Sequence, residues 1–406
     1  MNQTGPGALR YLYFAARVGT MAALTVSCAG DVAEPTAALQ SGSAALKAGK
    51  GHHSSPQLTP QQSGTTNRLQ AISPVNVRVV WASGVGGTYA LTTDGGATWH
   101  AGVVPGAETL QFRDVQGVSE KVAYLLAAGV GIDSRIYKTE DGGNTWALQF
   151  ENQDPNGFYD CFAFWGPRRG LTMADSVDGR FPVIRTTDGK TWKDIGDNLP
   201  PALSGEAAFA ASGTCVATQG EKRAWIVTGG ADKSRVIATT DSGKTWAAYD
   251  TPTIQGTPSS GILSIAFRDA RHGVLGAGEL AAPTELSNNF ARSSDGGKTW
   301  KLGAQTPFPG AIYGLSYALG RGHGGDGGDD DDCDGESDSG RGHGHDHGRG
   351  RVTVVATGPG GACWSTDEGD SWTSLDGVDN YWAVAFADER TGWLVGTTGR
   401  ILRIDF

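Results

Sequence analysis

Long apolar runs at helical spacing are scarce in this chain of 406 residues, which argues against a helical domain. Positive charge is also short: 33 Lys and Arg stand against 43 Asp and Glu, a formal charge of −10 that disfavours a general nucleic-acid binder. Histidine is sparse and poorly placed for catalysis. Of eight, His323, His343, His345 and His347 crowd one low-complexity stretch, and His52, His53, His100 and His272 are scattered. No Ser–His–Asp or Cys–His arrangement can be drawn from them. No cofactor motif is present, so no cofactor is expected. Cysteine is limited to Cys28, Cys161, Cys215, Cys333 and Cys363. What abounds is glycine, 62 residues, a composition that fits short strands joined by many turns.

Residues 1–29 read as an export signal. Arg10 and Arg17 give a positive start, and "VGTMAALTVSCAG" (18–30) is a short apolar stretch ending in small residues, too short to span a bilayer. "TVSC" resembles a bacterial lipoprotein cleavage box with its usual Leu displaced to Leu24, which makes Cys28 a candidate lipidation site. The expected location is therefore periplasmic or membrane-anchored, with residues 30–55 as a disordered linker. In such an oxidising compartment Cys161 and Cys215, in neighbouring repeats, either pair or remain buried thiols.

One phrase recurs six times: "TTDGGATW" (92–99), "TEDGGNTW" (139–146), "TTDGKTW" (186–192), "TTDSGKTW" (239–246), "SSDGGKTW" (293–300) and "STDEGDSW" (365–372). Half of the twelve tryptophans sit in it. From Asp to Asp the intervals are 47, 47, 53, 54 and 72; without the 31-residue low-complexity stretch 320–350 the last becomes 41. Units of that length made of short strands signify β-propeller blades. "GILSIAFRDARHGVLGAG" (261–278) gives two strands, "FARSS" a third, "DGG" a turn and "KTW" the start of a fourth. The Asp carboxylate accepts from turn amides, Gly allows positive φ, and the Trp covers a hydrophobic seam between blades. The third copy, one residue short, calls for a tighter turn. After Trp372, residues 380–406 supply three strands. "PQLTPQQSG" (56–64) matches the stretch after each phrase and is expected to cross over as the missing fourth strand, removing exposed edges. The expectation is an all-β, seven-bladed propeller of four-stranded antiparallel blades over 56–406, closed by its N-terminal strand.

The phrases resemble the Asp-box, or BNR repeat, S/T-x-D-x-G-x-T-W, of sialidases and related propellers, where the box is peripheral and structural. That implies structural roles for Asp94, Trp99, Asp141, Trp146, Asp188, Trp192, Asp241, Trp246, Asp295, Trp300, Asp367 and Trp372, and a catalytic role for none of them. "FADERTGWLVGTTGRILR" (386–403) also resembles the photosystem II assembly and stability factor family of seven-bladed propellers, over nearly all of the chain after residue 56. The resemblance implies a non-enzymatic scaffold that binds partner proteins; nothing in the chain points to a photosystem.

Aligning the second strands brings out a repeated cation. Arg78, Lys121, Arg168, Lys222, Arg271 and Arg390 stand three residues before Trp81, Tyr124, Leu171, Trp225, Val274 and Trp393. Two readings stand: solvated turns neutralised by Glu120, Glu221, Asp269, Asp388 and Glu389, or a ring of like charge on one face that attracts an acidic partner. Blade six replaces this turn with the insert 320–350, which holds nine acids and three arginines and has too little apolar surface to order. It is expected to fold back over the ring and compete with the partner. Its His343, His345 and His347, near His323, Asp346 and Cys333, are a weak candidate metal site with no rigid spacing.

The loops at the opposite end carry Tyr159, Tyr313, Tyr381 and Trp382, either platforms for a sugar or aromatics that close the inner strands into the core. A sialidase-like glycosidase is the alternative to a scaffold, and requires three arginines, a Tyr–Glu pair and an Asp acid/base. The nearest string to that family's Arg-Ile-Pro phrase is "RFPVIR" (180–185), in altered order, and its Arg185 fits a third strand as Arg292 does. A monomer is expected.

Overall fold

The computed structural model describes residues 55–319 and 352–406. The export signal, Cys28, the linker and the insert with its histidines lie outside the described residues. Among the described residues the only helical segments are three single 3₁₀ turns, and none is long and apolar enough to cross a membrane.

Seven four-stranded antiparallel sheets, each a sequential meander, make up the compact unit Pro56–Phe406. Blade 1 is Leu69–Pro74, Val80–Gly84, Thr88–Thr92 and His100–Val103. Blade 2 is Phe112–Gly117, Ala123–Ala127, Arg135–Thr139 and Ala147–Glu151. Blade 3 is Tyr159–Gly166, Arg169–Ala174, Val183–Thr186 and Lys193–Asp194. Blade 4 is Val216–Gln219, Arg223–Val227, Arg235–Thr239 and Ala247–Asp250. Blade 5 is Ser260–Phe267, Gly273–Glu279, Phe290–Ser293 and Lys301–Leu302. Blade 6 is Gly314–Ala318, Thr353–Gly358, Gly361–Ser365 and Thr373–Ser374.

Blade 7 takes Tyr381–Phe386, Thr391–Gly396 and Arg400–Asp405 from the C-terminus and Gln57–Gln62 from the N-terminus, paired from Gln57↔Asp405 to Gln62↔Arg400. The crossover expected for residues 56–64 is present, and the fold class is the expected one. In detail the outer strands differ: in all six blades with the phrase they begin one residue after the Trp, because the Thr–Trp pair still belongs to the turn. Arg185 and Arg292 lie in third strands, as expected.

Apolar second strands form the densest layer, with Trp81, Tyr124, Leu171, Trp225 and Trp393 all essentially solvent-free. Four of these aromatics donate a hydrogen bond to an element beyond their own sheet's interior. Trp81 Nε1 donates to Ser119 O (2.8 Å), Tyr124 OH to Pro167 O (3.1 Å), Trp225 Nε1 to Gly296 O (2.8 Å) and Trp393 Nε1 to Gln61 Oε1 (3.2 Å). The first three reach the next blade and so set its position as well as filling the seam. Cys161 of blade 3 and Cys215, just before blade 4, form a disulfide that staples those two blades.

The inner strands share an irregularity. In blades 1, 2, 3, 5 and 7 a β-bulge falls at one equivalent residue: Gln70, Arg113, Asp160, Leu263 and Trp382. A bulge adds a residue to one strand and re-aims its side chain. The axis they surround is plugged. Ala208 N donates to Asp175 Oδ1 (2.9 Å), Arg113 Nη1 to Ala210 O (3.2 Å) and Ser212 Oγ to Tyr313 O (2.6 Å), while Phe209 and Ala211 pack with Leu263 and Ala311. A segment that meets blades 2, 3, 5 and the entry to blade 6 has to lie across the centre. Gly213 permits the exit, with φ +76° and an added Cβ only 2.5 Å from Asp114 Oδ1.

Candidate functional site

Each blade's first and third turns lie at the same end, as a meander requires, and hydrogen bonds stitch them together. Gly95 N donates to Arg78 O, Gly142 N to Lys121 O, Ser242 N to Lys222 O and Gly296 N to Arg271 O, at 2.8–2.9 Å. Each donor directly follows the Asp of its phrase. In blade 7, which lacks the phrase, Phe406 N donates to Arg390 O (3.0 Å) instead. The repeated cation therefore occupies one structural position, on the face that carries the Asp turns.

Those turns are built alike. Asp94 Oδ1 accepts from Thr98 N (2.9 Å) and Thr92 Oγ1 (2.8 Å), its Oδ2 accepts from Thr98 Oγ1 (2.6 Å), and Gly96 N donates to Thr92 Oγ1 (2.9 Å). The same set recurs at Asp141, Asp241, Asp295 and Asp367. Asp188, in the shortened copy, accepts instead from Lys190 N and Thr191 N (both 2.8 Å), a turn one residue tighter. Hydrogen bonds to the charged form hold all six carboxylates below the usual range. For Asp94 the Thr98 hydroxyl leads, then the Thr98 amide, and the value falls to about 2.

The tryptophans that follow are less deeply set than the sequence leads one to expect. Trp99 and Trp300 are buried, whereas Trp146, Trp192, Trp246 and Trp372 are half-buried at the rim. Each still lies on an apolar seam: Trp146 meets Trp81 edge-on (6.2 Å) and Tyr89 (5.1 Å), and Trp372 meets Phe290 of blade 5 (4.9 Å). Trp300 packs on Phe267, which stacks 3.6 Å from Trp225. The indole N–H of Trp146 and of Trp192 has no acceptor among the described residues, unlike Trp99, Trp246, Trp300 and Trp372.

Arg78, Lys121, Arg168, Lys222, Arg271 and Arg390 are all exposed. Among the described residues none makes an ion pair within 4.0 Å. The nearby acids are engaged elsewhere or point away. Asp269 Oδ1 accepts from Arg271 N (2.7 Å), and its carboxylate pairs with Arg268 (2.9 Å) and His272 (2.8 Å). Asp388 Oδ1 accepts from Arg390 N (2.9 Å) and Thr391 N (2.7 Å), and Glu221 approaches Arg169. Asn76 and Ser119 hold the corresponding turns of blades 1 and 2 through Arg78 N and Lys121 N. In blade 6 the chain leaves this face after Leu319 and returns at Val352, which bridges to Asp367.

At the other end the four proposed platform aromatics do not form one surface. Tyr159 is buried edge-on to Phe150 (5.1 Å) in blade 3. Tyr381 is buried and borders an open cleft of about 780 Å³ between blades 7 and 1. Only Tyr313 and Trp382 come together, edge-on at 5.5 Å, with the Arg68 guanidinium 5.0 Å above the Trp382 ring. Arg68 escaped the sequence reading because it stands alone, one residue before a strand.

Among the described residues no group of three or more His, Cys, Asp or Glu is placed to hold a metal ion. Of the bulge residues around the axis, Arg113 is the one arginine, and its guanidinium is bound to Ala210 O and Gln111 Oε1.

No protein-family model and no curated protein matches the chain. Solved structures match its fold. YCF48 bound to a D1 peptide is similar with a TM-score of 0.55 at 15% identity, over 87% of this chain and 96% of that one. YCF48 from Cyanidioschyzon merolae gives 0.52 at 17%, over 86% and 98%. The WD40 repeats of RRP9 give 0.55 at 10%, over 87% and 99%. At these identities the likeness is one of fold.

Proposed function

We propose that the chain is an exported, non-enzymatic scaffold that holds an acidic partner protein on the face bearing the Asp turns. The observation that carries this is the set of six exposed cations at equivalent turns, none paired with a described acid. Like charges held on one rigid face sum their fields and steer an opposite charge. The Asp-box resemblance supports a rim built for rigidity rather than chemistry. The fold likeness to YCF48 bound to a D1 peptide offers a propeller of similar shape that takes a peptide. The glycosidase alternative has less support, since the axis is plugged by residues 208–213 and Arg113 is already bonded.

The test is affinity capture from the envelope of the native cells at about 50 and 500 mM salt, with the wild type and with all six cations replaced by Ser. Electrostatic capture weakens as screening shortens to a few ångströms. An acidic protein retained by the wild type at low salt, and lost at high salt and with the variant, is the expected result. Equal retention by both proteins removes the cation face from the account.

A further inference from the structure

The end of the propeller opposite the Asp turns holds a cluster of polar groups with nothing to bond to. Arg68 precedes the inner strand of blade 1 at that end and is half-buried. Among the described residues its guanidinium makes no ion pair, its Nε is buried without an acceptor, and its charge lies over the Trp382 ring at 5.0 Å. Burial lowers its pKa, with the phenol of Tyr313 acting in the opposite sense, so the guanidinium is a cation in a poorly solvated place.

Gln70, two residues along, is wholly buried, and neither its Nε2 nor its Oε1 has a partner. Trp382 Nε1 is likewise buried and unpartnered. Gln70 and Trp382 occupy the same bulge position in the adjoining inner strands of blades 1 and 7. Buried polar groups in folded proteins are almost always satisfied, and those that are not call for an explanation.

These unmet demands differ in kind. The Arg68 fork wants an anion, and a planar fork matches a carboxylate. A single cation balances a single negative charge. The Gln70 amide lacks both an acceptor and a donor, which one peptide unit supplies through its C=O and N–H. Trp382 Nε1 wants one more acceptor, and the Tyr313 and Trp382 rings offer apolar walls.

We propose that Arg68, Gln70 and Trp382, beside Tyr313, form a recognition site for a carboxylate carried by an extended peptide. The carboxylate comes either from the peptide's free C-terminus or from an Asp or Glu side chain. The site stands apart from the cation face and does not depend on the acidic-partner reading.

Three short peptides test it by isothermal titration and by following the indole N–H resonance of Trp382 in the full chain. The first is acetyl-Gly-Ala-Ala with a free carboxylate. The second is the same peptide as its amide. The third is acetyl-Gly-Asp-Ala-amide, and inorganic phosphate serves as a fourth probe. Saturable binding of the first or the third, with at least tenfold weaker binding of the second, supports the site and shows which carboxylate it takes. Arg68→Gln should weaken that binding at least tenfold, and Lys121→Ser should leave it unchanged. The acid-against-amide comparison uses the wild type, so it holds even if a variant folds poorly. Equal binding of acid and amide, a response to phosphate alone, or no binding by any peptide would overturn the proposal.

Discussion

Gln61 is where the two ends of the chain lock together. Its Oε1 accepts from Trp99 Nε1 of blade 1 (3.0 Å) and from Trp393 Nε1 of blade 7 (3.2 Å), and its Nε2 donates to Gly95 O (3.1 Å). Gln61→Leu keeps the volume and leaves both indole donors unpartnered, with Trp99 and Trp393 at 7% and 0% exposure. Each buried donor left unsatisfied costs about 1–3 kcal/mol, so the sum is roughly 2–6 kcal/mol. For a domain of this size the unfolding entropy is about 0.7 kcal/mol/K, which converts the loss to a drop in Tm of roughly 3–9 °C. Gln61→Glu retains an acceptor for both indoles and forfeits only the Gly95 bond, so it should recover most of the loss. Differential scanning calorimetry of the three proteins reads this directly. A Tm for Gln61→Leu within about 1 °C of the wild type would refute the latch, since no acceptor would then have mattered.

Three further outcomes follow from the same structure. Removing the Cys161–Cys215 disulfide, which spans 54 residues, should cost about 4 kcal/mol by loop entropy, or roughly 6 °C in Tm; the wild type unfolded under reducing conditions should match the Cys161→Ser/Cys215→Ser variant, and a shift below about 2 °C would contradict the staple. The six Asp turns carry depressed carboxylates, so their stabilisation is full above the ordinary value of 3.8 and is lost as pH falls towards about 2, the folded value of Asp94 and Asp241. Tryptophan fluorescence should therefore report loosening between those limits, with a smaller change in Asp94→Asn, and identical acid profiles for the two proteins would count against the turns as the cause. Gly213→Val forces a side chain into a left-handed backbone and against Asp114, and should destabilise by about 2 kcal/mol or more while speeding amide exchange at residues 208–212. Unchanged exchange would mean that the plug does not rest on this turn.

The blades were legible because the Asp phrase is a local signal: a turn that must be made by Asp, Gly and a hydroxyl recurs wherever the fold recurs. Closure by residues 56–64 was legible too, since the blade count left one strand missing. What was not legible depends on single residues meeting across long separations. Gln61 is one polar residue in a polar strand, and nothing in its neighbourhood marks the two indoles it bridges. Residues 207–214 read as a linker because alanines and glycines carry no period, yet they fill the axis. The second-strand aromatics were visible as alignment anchors, but their hydrogen bonds to the next blade were not. The burial of the rim tryptophans was overstated, because a seam at the edge of a disc shields only one side of a ring. The inner-strand bulges shift the period of two by one residue, which hides the turn of Gln70 and Trp382 towards a common site.

The account's central claim is that partner binding belongs to the face of the Asp turns. Photocrosslinking amino acids placed at Val77, Glu120 and Glu389 sample that face, and those at Glu108 and Asn156 sample the opposite end. Irradiation of cells that make the protein should yield one acidic adduct from the first three positions, lost when the six turn cations are replaced by Ser. Adducts confined to Glu108 and Asn156, or adducts from the turn face that persist without the cations, would contradict it.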